Sequence, residues 1–143
     1  MKGKVLKIFI TKNDKDKTRL LKENIYLDEN GIIDDKFYAK DIDRSILITS
    51  KESYELSLRN NINIEYGSLG ENLLIDINPY HLNHLDKIII GDTVLEITQH
   101  CTLCKGLSNI NSKLPKLLKN DRGIFAKVIQ GKSTISIGDI VKF

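Results

Sequence analysis

Short runs of aliphatic and β-branched residues recur along the whole chain, and clusters of Gly, Asp, Asn or charged residues separate them. Runs of this length and composition predict strands. We expect strands at residues 4–11, 24–27 and 45–49, in the apolar run after Gly70, in two runs on either side of Gly91-Asp92, and in two more around Gly131. About eight or nine short strands at such close spacing predict a mainly β protein with a closed or nearly closed β-barrel.

The segments between the predicted strands divide into loops and two helices. Residues 12–23 mix basic and acidic side chains, which predicts a solvated loop. Residues 28–44 have the acidic, Gly-bearing composition of an irregular loop large enough to hold a ligand. Ser50 is the predicted N-cap of the helix that follows it. A basic helix is expected over residues 107–119, with its second part begun or kinked at Pro115.

Composition indicates one domain, residues 1–143, large enough to bury a core without metal or disulfides. Aromatic residues make up only 6% of the chain and Trp is absent, so the predicted core is aliphatic. No apolar run approaches the roughly 18 residues of a membrane span, and we expect a cytoplasmic protein with reduced cysteines. The net charge of +3 permits an anionic ligand. Nucleic acid is not expected, because no basic stripe interleaves with aromatic residues.

The pattern Ile-Gly-Asp-x-Val occurs twice, at residues 90–94 and 137–141. Each copy predicts a tight corner that leads into a strand. In such a corner Gly supplies backbone freedom and Asp bonds nearby amides. We therefore interpret Asp92 and Asp139 as turn residues and not as catalytic ones.

The only two cysteines lie in the segment HCTLCKG, residues 100–106, with C-x-x-C spacing. A zinc site would join Cys101 and Cys104 to His81 and His84, but a second C-x-x-C is missing. A dithiol switch needs a βαβ context, which the neighbouring strands do not provide. The plainest account is a pair of buried small apolar residues, since cysteine is among the most buried residue types.

A fourth interpretation is a single activated thiol. Sulfur nucleophiles react as thiolates, and Lys105 or a protonated His100 would favour the ionised form of Cys104 at the start of the predicted helix. The polar residues around the pair place it at a strand end and not in the middle of a core. This interpretation accounts best for the local charge, while the residues alone leave all four open.

Several segments, in order along nearly the whole chain, resemble the MOSC domain. This domain is the C-terminal module of molybdenum cofactor sulfurases, and it also occurs as small stand-alone bacterial proteins. The specific segments are YGSLGENLLID, which is similar to the family motif Gly-x-x-Gly-Glu-Asn-Leu, and IGDTVLEITQHCTLCKGL, which resembles its corner, strand and cysteine segment. Weaker matches are NGIIDDKF, RSILI and the closing RGIFAKVIQGKSTISIGDIVKF.

The resemblance places the family's cysteine at Cys104. Cys101 stands where many members have an arginine, and Leu103 stands where they have a proline. Phe37 replaces a histidine that follows the family's aspartate at Asp35. Cys101 is thereby a candidate resolving thiol, a use that the family pattern does not predict.

The resemblance implies a β-barrel whose mouth binds the molybdenum cofactor (molybdopterin) or hands sulfur to it, with sulfurtransferase-like activity. A cysteine desulfurase would be the donor and a molybdoenzyme or its cofactor the acceptor. Cys104 and Cys101 are the candidate sulfur-carrying residues. The candidate cofactor-binding residues are Arg44, Gly70, Glu71, Asn72, Lys105 and Arg122. For Glu71 and Asn72 a turn-holding role, and for the arginines a surface role, is the alternative. The rival functions are a zinc-stabilised barrel and a redox-inert ligand-binding barrel.

Overall fold

The computed structural model describes residues 1–102 and 105–143, and for Lys105 the backbone alone. The strands of the described part are β1 Lys2–Thr11, β2 Arg19–Lys22, β3 Asn24–Asp28, β4 Gly31–Ile32, β5 Ile46–Ser50, β6 Leu73–Ile75, β7 Lys87–Ile90, β8 Thr93–His100, β9 Ile124–Val128, β10 Ser133–Ser136 and β11 Ile140–Lys142. Its helices are α1 Lys51–Arg59, α2 Lys105–Ile110 and α3 Leu114–Leu117, with a 3-10 helix at Ile42–Arg44.

Seven of the described strands close into a barrel. Their order is β11-β7-β8-β9-β5-β6-β1, and pairing between β1 and β11 completes the ring. Neighbouring strands are antiparallel except β5 and β6, which run parallel. The predicted mainly β barrel is therefore confirmed. Strand β2 extends the sheet beyond β1, and β10, β3 and β4 form a separate small sheet.

The barrel interior is aliphatic, as the composition predicts. Side chains such as Ile8, Ile48, Ile88 and Leu95 are fully buried in it. A second apolar cluster lies outside the barrel wall, where α1, α2 and α3 pack around Leu74 of β6. Strand β5 is buried at every position because it has barrel strands on both sides and apolar clusters on both faces.

The helix predictions agree with the structure. Ser50 is the N-cap of α1, and its Oγ accepts a hydrogen bond of 3.2 Å from the amide of Glu52. The second predicted helix is divided into α2 and α3, and Pro115 lies in the first turn of α3, where its missing N–H has no helical partner to lose. None of the helices in the described ranges is long and apolar enough to cross a membrane.

The prediction of a solvated loop over residues 12–23 is wrong at its C-terminal end. Lys12 N donates to Thr18 O at 2.7 Å, and the side chain of Asp14 accepts from the amide of Thr18 at 3.2 Å. This turn reverses the chain, so that β2 pairs with the end of β1 and Arg19 lies opposite Thr11. Of the charged residues that indicated a loop, those from Lys12 to Lys17 lie in the turn, whereas Arg19 and Lys22 belong to β2.

Candidate functional site

A cavity of about 410 Å³ opens at the end of the barrel where β1 and β8 finish. Its lining is notable for four cationic side chains, against a single carboxylate among the described residues that line it. The lining residues are Thr11, Arg19, Lys36, Phe37, Asp41, Arg44, Leu47, Gly70, Asn72, Cys101, Arg122 and Phe125.

Arg122 is the most buried cation of this cavity, with only 8% of its surface exposed. Its Nη1 donates to Thr102 O at 3.4 Å and its Nη2 to Leu69 O at 3.2 Å. Its Nε is buried without a hydrogen-bond partner. The Arg122 side chain forms no ion pair with any carboxylate in the described part of the chain. A buried cation left in this state favours the approach of an anion.

Two glycines shape the backbone around Arg122. A Cβ at Gly123 would lie 2.9 Å from Ile48 O, so only glycine lets the start of β9 approach β5 this closely. The hydroxyl of Thr49 then donates to Arg122 O at 2.9 Å and fixes the main chain. Gly70 has a φ of +85°, and a Cβ there would lie 3.9 Å from Nη2 of Arg122. A side chain at position 70 would have room, so the positive φ and not close packing is what favours glycine there.

Arg19 is the cation that sequence analysis missed. Its guanidinium donates to Thr11 Oγ1 at 3.2 Å, to Gly67 O at 3.1 Å and to Glu71 O. It also lies over the ring of Phe9, 5.3 Å from the centroid. Burial lowers the pKa of Arg19 and the nearby carboxylate of Glu71 opposes this, but an arginine keeps its charge in proteins. Its placement depends on the pairing of β2 with β1, which the local sequence does not indicate.

Lys36 and Arg44 supply two more positive charges from the loop between β4 and β5. Each is supported by an aromatic ring: Lys36 Nζ lies 4.6 Å from the centroid of Phe37, and the guanidinium of Arg44 lies 5.0 Å from that of Phe125. Such cation–π contacts orient the side chain without neutralising its charge. Both cations therefore keep hydrogen-bond donors for a ligand.

Asp35 holds this loop over the end of β1. It is 4% exposed, and its carboxylate accepts from the amide of Thr11 at 2.8 Å and from that of Phe37 at 3.0 Å. The amide of Lys36 donates in turn to Thr11 O at 2.8 Å. The residues that resemble the family's aspartate segment thus position Lys36 and Phe37 at the cavity.

Asn72 lines the cavity and also joins two strands. Its Oδ1 accepts from Leu47 N at 3.0 Å, and its Nδ2 donates to Phe9 O at 3.1 Å. The side chain thus makes hydrogen bonds of the kind that a backbone group makes, to both β1 and β5, directly before β6 begins between them. The side-chain contacts of Asn72 are therefore structural, but they join strands and do not hold the turn after Gly70.

Glu71, the neighbouring candidate, does not line the cavity. Its side chain is fully buried, with Oε2 accepting from the hydroxyl of Tyr54 and, at 3.1 Å, from the amide of Gly67. Its Oε1 has no hydrogen-bond partner. Burial raises the pKa of Glu71, although the hydrogen bond from Tyr54 opposes this shift. Glu71 therefore contacts the loop that carries Gly70 and not the cavity itself.

Of the candidate sulfur residues, the structure places Cys101 in the cavity wall. It is 7% exposed, and its amide donates to Gly123 O at 2.9 Å, which ties it to the start of β9 beside Arg122. Cys104 and the side chain of Lys105 lie outside the described residues. The structure therefore brings Arg44, Gly70, Asn72 and Arg122 together with Cys101.

The zinc interpretation gains no set of ligands in the described part of the chain, which holds no group of three or more His, Cys, Asp or Glu side chains suited to a metal ion. Nδ1 of His84 lies 3.0 Å from Thr98 O, and Nε2 of His100 lies 3.0 Å from Leu82 O. His81 packs on the ring of Phe143. These histidines are thus engaged by the backbone and by an aromatic ring.

The fold and the cavity define a class of protein, a small closed β-barrel with a cationic pocket at one end. The family model described as the MOSC domain matches residues 17–142. The chain belongs to the MOSC domain family, and the resemblance seen in its motifs is confirmed.

Solved structures share the fold at low sequence identity. The YuaD protein from Bacillus subtilis is 18% identical, with a TM-score of 0.83 over 99% of this chain and 94% of that one. YiiM from Escherichia coli is 18% identical, with a TM-score of 0.73 over 99% and 69% of the two chains. YiiM from Geobacillus stearothermophilus is 14% identical, with a TM-score of 0.71 over 96% and 72%. No curated protein matches the chain in sequence.

Proposed function

We propose that the protein binds the anionic molybdenum cofactor in the barrel cavity and carries sulfur for it as a persulfide on Cys104. The observation that carries this proposal is the cavity itself, where four cations surround a space with one carboxylate among the described lining residues. Membership of the MOSC family supports the choice of cofactor. We place this activity in the cytoplasm, where thiols stay reduced.

The cofactor carries a phosphate, and the residues present fit such a group. Arg122 offers the buried Nε that has no hydrogen-bond partner, and Arg44 and Lys36 offer donors at the cavity mouth. An arginine–phosphate contact of this kind is charge-assisted and directional. When bound, the cofactor supplies a molybdenum centre that receives sulfur.

The sulfur chemistry is assigned to the cysteines. The thiolate of Cys104 attacks the outer sulfur of a persulfide on a cysteine desulfurase, the donor's S–S bond breaks, and the donor thiolate leaves. Cys104 then holds a persulfide with no net oxidation. In the discharge step the thiolate of Cys101 attacks the inner sulfur, hydrosulfide leaves, and a Cys101–Cys104 disulfide forms, which a cellular dithiol reduces. Cys101 lies in the cavity wall, on the side where the ligand would bind.

Mass measurement after incubation with a cysteine desulfurase and free cysteine tests the proposal. We expect the wild type to gain one sulfur atom, Cys104→Ala to gain none, and Cys101→Ala to gain the sulfur and keep it longer. The two cysteine variants thus distinguish the loading of sulfur onto Cys104 from its release. An unchanged mass in the wild type, or loading that survives in Cys104→Ala, would refute the sulfur-carrier role.

A second readout of the same site is thiol reactivity. An activated Cys104 should be alkylated with a midpoint below the ordinary cysteine pKa of about 8.5. Alkylation of Cys101→Ala as a function of pH isolates Cys104. A midpoint at or above the ordinary value would show that Cys104 is not an activated thiol.

A further inference from the structure

A second cavity, of about 460 Å³, lies outside the barrel wall between α2 and α3. It is separate from the cavity described above, except that Arg122 lines both. Its size falls in the range of small-molecule sites, roughly 300–1,000 Å³. The residues that line it are Thr102, Leu107, Pro115, Lys116, Leu118, Lys119, Asn120 and Arg122.

The floor of this second cavity is apolar and well packed. Leu107 of α2 is 3% exposed and Leu118 at the end of α3 is 1% exposed, and both belong to the apolar cluster that packs on β6. Pro115 adds an inflexible surface in the first turn of α3. A flat hydrocarbon group would therefore contact a surface that is already formed.

The polar part of the lining carries one sign of charge. Lys116 and Lys119 are exposed at the rim, and Arg122 lies deeper, donating from Nη1 to the carbonyl of Thr102. No carboxylate lines this cavity among the described residues.

From these contacts we propose that the second cavity binds a small amphipathic anion, an aromatic or aliphatic ring that bears a carboxylate or sulfonate. The ring would lie on Leu107, Pro115 and Leu118, and the anionic group would face Lys116 and Lys119. A protein segment fits less well, because the apolar floor is only a few side chains wide and two lysines flank it. This inference goes beyond the proposed function and does not depend on Cys104.

The site can be tested with 1-anilinonaphthalene-8-sulfonate, an aromatic anion whose fluorescence rises in apolar surroundings. We expect saturable binding at one site in the wild type. The double variant Lys116→Ala/Lys119→Ala should weaken it about fivefold, since each exposed charge contributes modestly. The matched control is Lys132→Ala/Lys142→Ala, which removes two exposed lysines remote from the cavity and should leave the affinity within about twofold of the wild type.

The uncharged analogue N-phenyl-1-naphthylamine distinguishes the contribution of charge to binding from that of apolar contact. It should bind more weakly than the sulfonate and be indifferent to the loss of Lys116 and Lys119. Equal losses for the two probes, equal losses in the two double variants, or absence of saturable sulfonate binding would each overturn the proposal. Failure of sulfur loading on Cys104 leaves these titrations unchanged, so the two proposals fail independently.

Discussion

At one end of the barrel the two Ile-Gly-Asp corners pack against each other, and at the other end four cationic side chains surround a cavity. In the corners, Asp139 Oδ2 accepts from the amide of Ser136 at 2.8 Å. Gly91, with a φ of +59°, packs so closely that a Cβ there would lie 2.8 Å from the same carboxylate oxygen. The predicted turn role of Asp139 is thus confirmed by its contacts.

The cavity end is built on a different principle. The charges of Lys36, Arg44 and Arg122 have the same sign and converge on one space, and no carboxylate of the described residues forms an ion pair with them. Unpaired charges of one sign that lie close together do not stabilise the folded state. Asp139 at the corner end is used by the fold, whereas Lys36 and Arg44 at the cavity end keep their hydrogen-bond donors for a ligand.

The largest effect on stability is expected where the two roles overlap, at Asn72. Asn72→Ala leaves the amide of Leu47 and the carbonyl of Phe9 without their buried partner, and each unpaired group costs about 1–3 kcal/mol. We expect the free energy of unfolding to fall by about 3 kcal/mol in urea. The exposed Asn63→Ala is the control and should leave stability nearly unchanged. A loss at Asn72 no larger than at Asn63 would contradict its strand-joining role.

A smaller loss of stability is expected from substitutions in the two Ile-Gly-Asp corners, and the loss should differ between them. Asp139→Ala removes an acceptor from the amide of Ser136 and should lower the free energy of unfolding by about 1 kcal/mol. Asp92→Ala, at the same place in the other Ile-Gly-Asp corner, changes an exposed residue and should have a smaller effect. Equal losses from the two substitutions, measured by urea unfolding, would show that the corners depend on their aspartates alike.

The smallest effect is expected in how the free energy of unfolding depends on pH through Glu71. Burial raises its native pKa above the ordinary 4.5, so the native state holds the proton more tightly than the unfolded chain. The stabilisation of the native state by protonated Glu71 is therefore complete below about pH 4.5, and it is lost as pH rises through the native pKa. Relative to Glu71→Gln, the wild type should lose stability with rising pH and then level off. Parallel stability curves for the two proteins would contradict the raised pKa.

Much of the fold follows from local patterns, and the site follows only in part. The strands, the Ser50 cap and the break at Pro115 depend on neighbouring residues, so they could be predicted. Arg19 could not, because its position depends on a turn that returns β2 to β1. The cavity lining comes from positions as distant as Thr11 and Arg122. Barrel closure brings them together, and the segments that resemble the family indicated Phe37, Arg44, Gly70, Asn72, Cys101 and Arg122 among them.

If the cavity binds a phosphate, loss of its cations should weaken anion binding, and loss of cations at the corner end should not. The probe is inorganic pyrophosphate, titrated calorimetrically at low ionic strength. The cavity variant is Lys36→Ala/Arg44→Ala, and the control is Lys2→Ala/Lys142→Ala, which removes two exposed lysines paired at the corner end.

This titration tests most directly whether the cavity end of the barrel binds an anion. We expect one bound pyrophosphate, an affinity at least about tenfold weaker in the cavity variant, and a change below about twofold in the control. Equal weakening in both variants, or no binding to the wild type, would contradict an anion site at the cavity end.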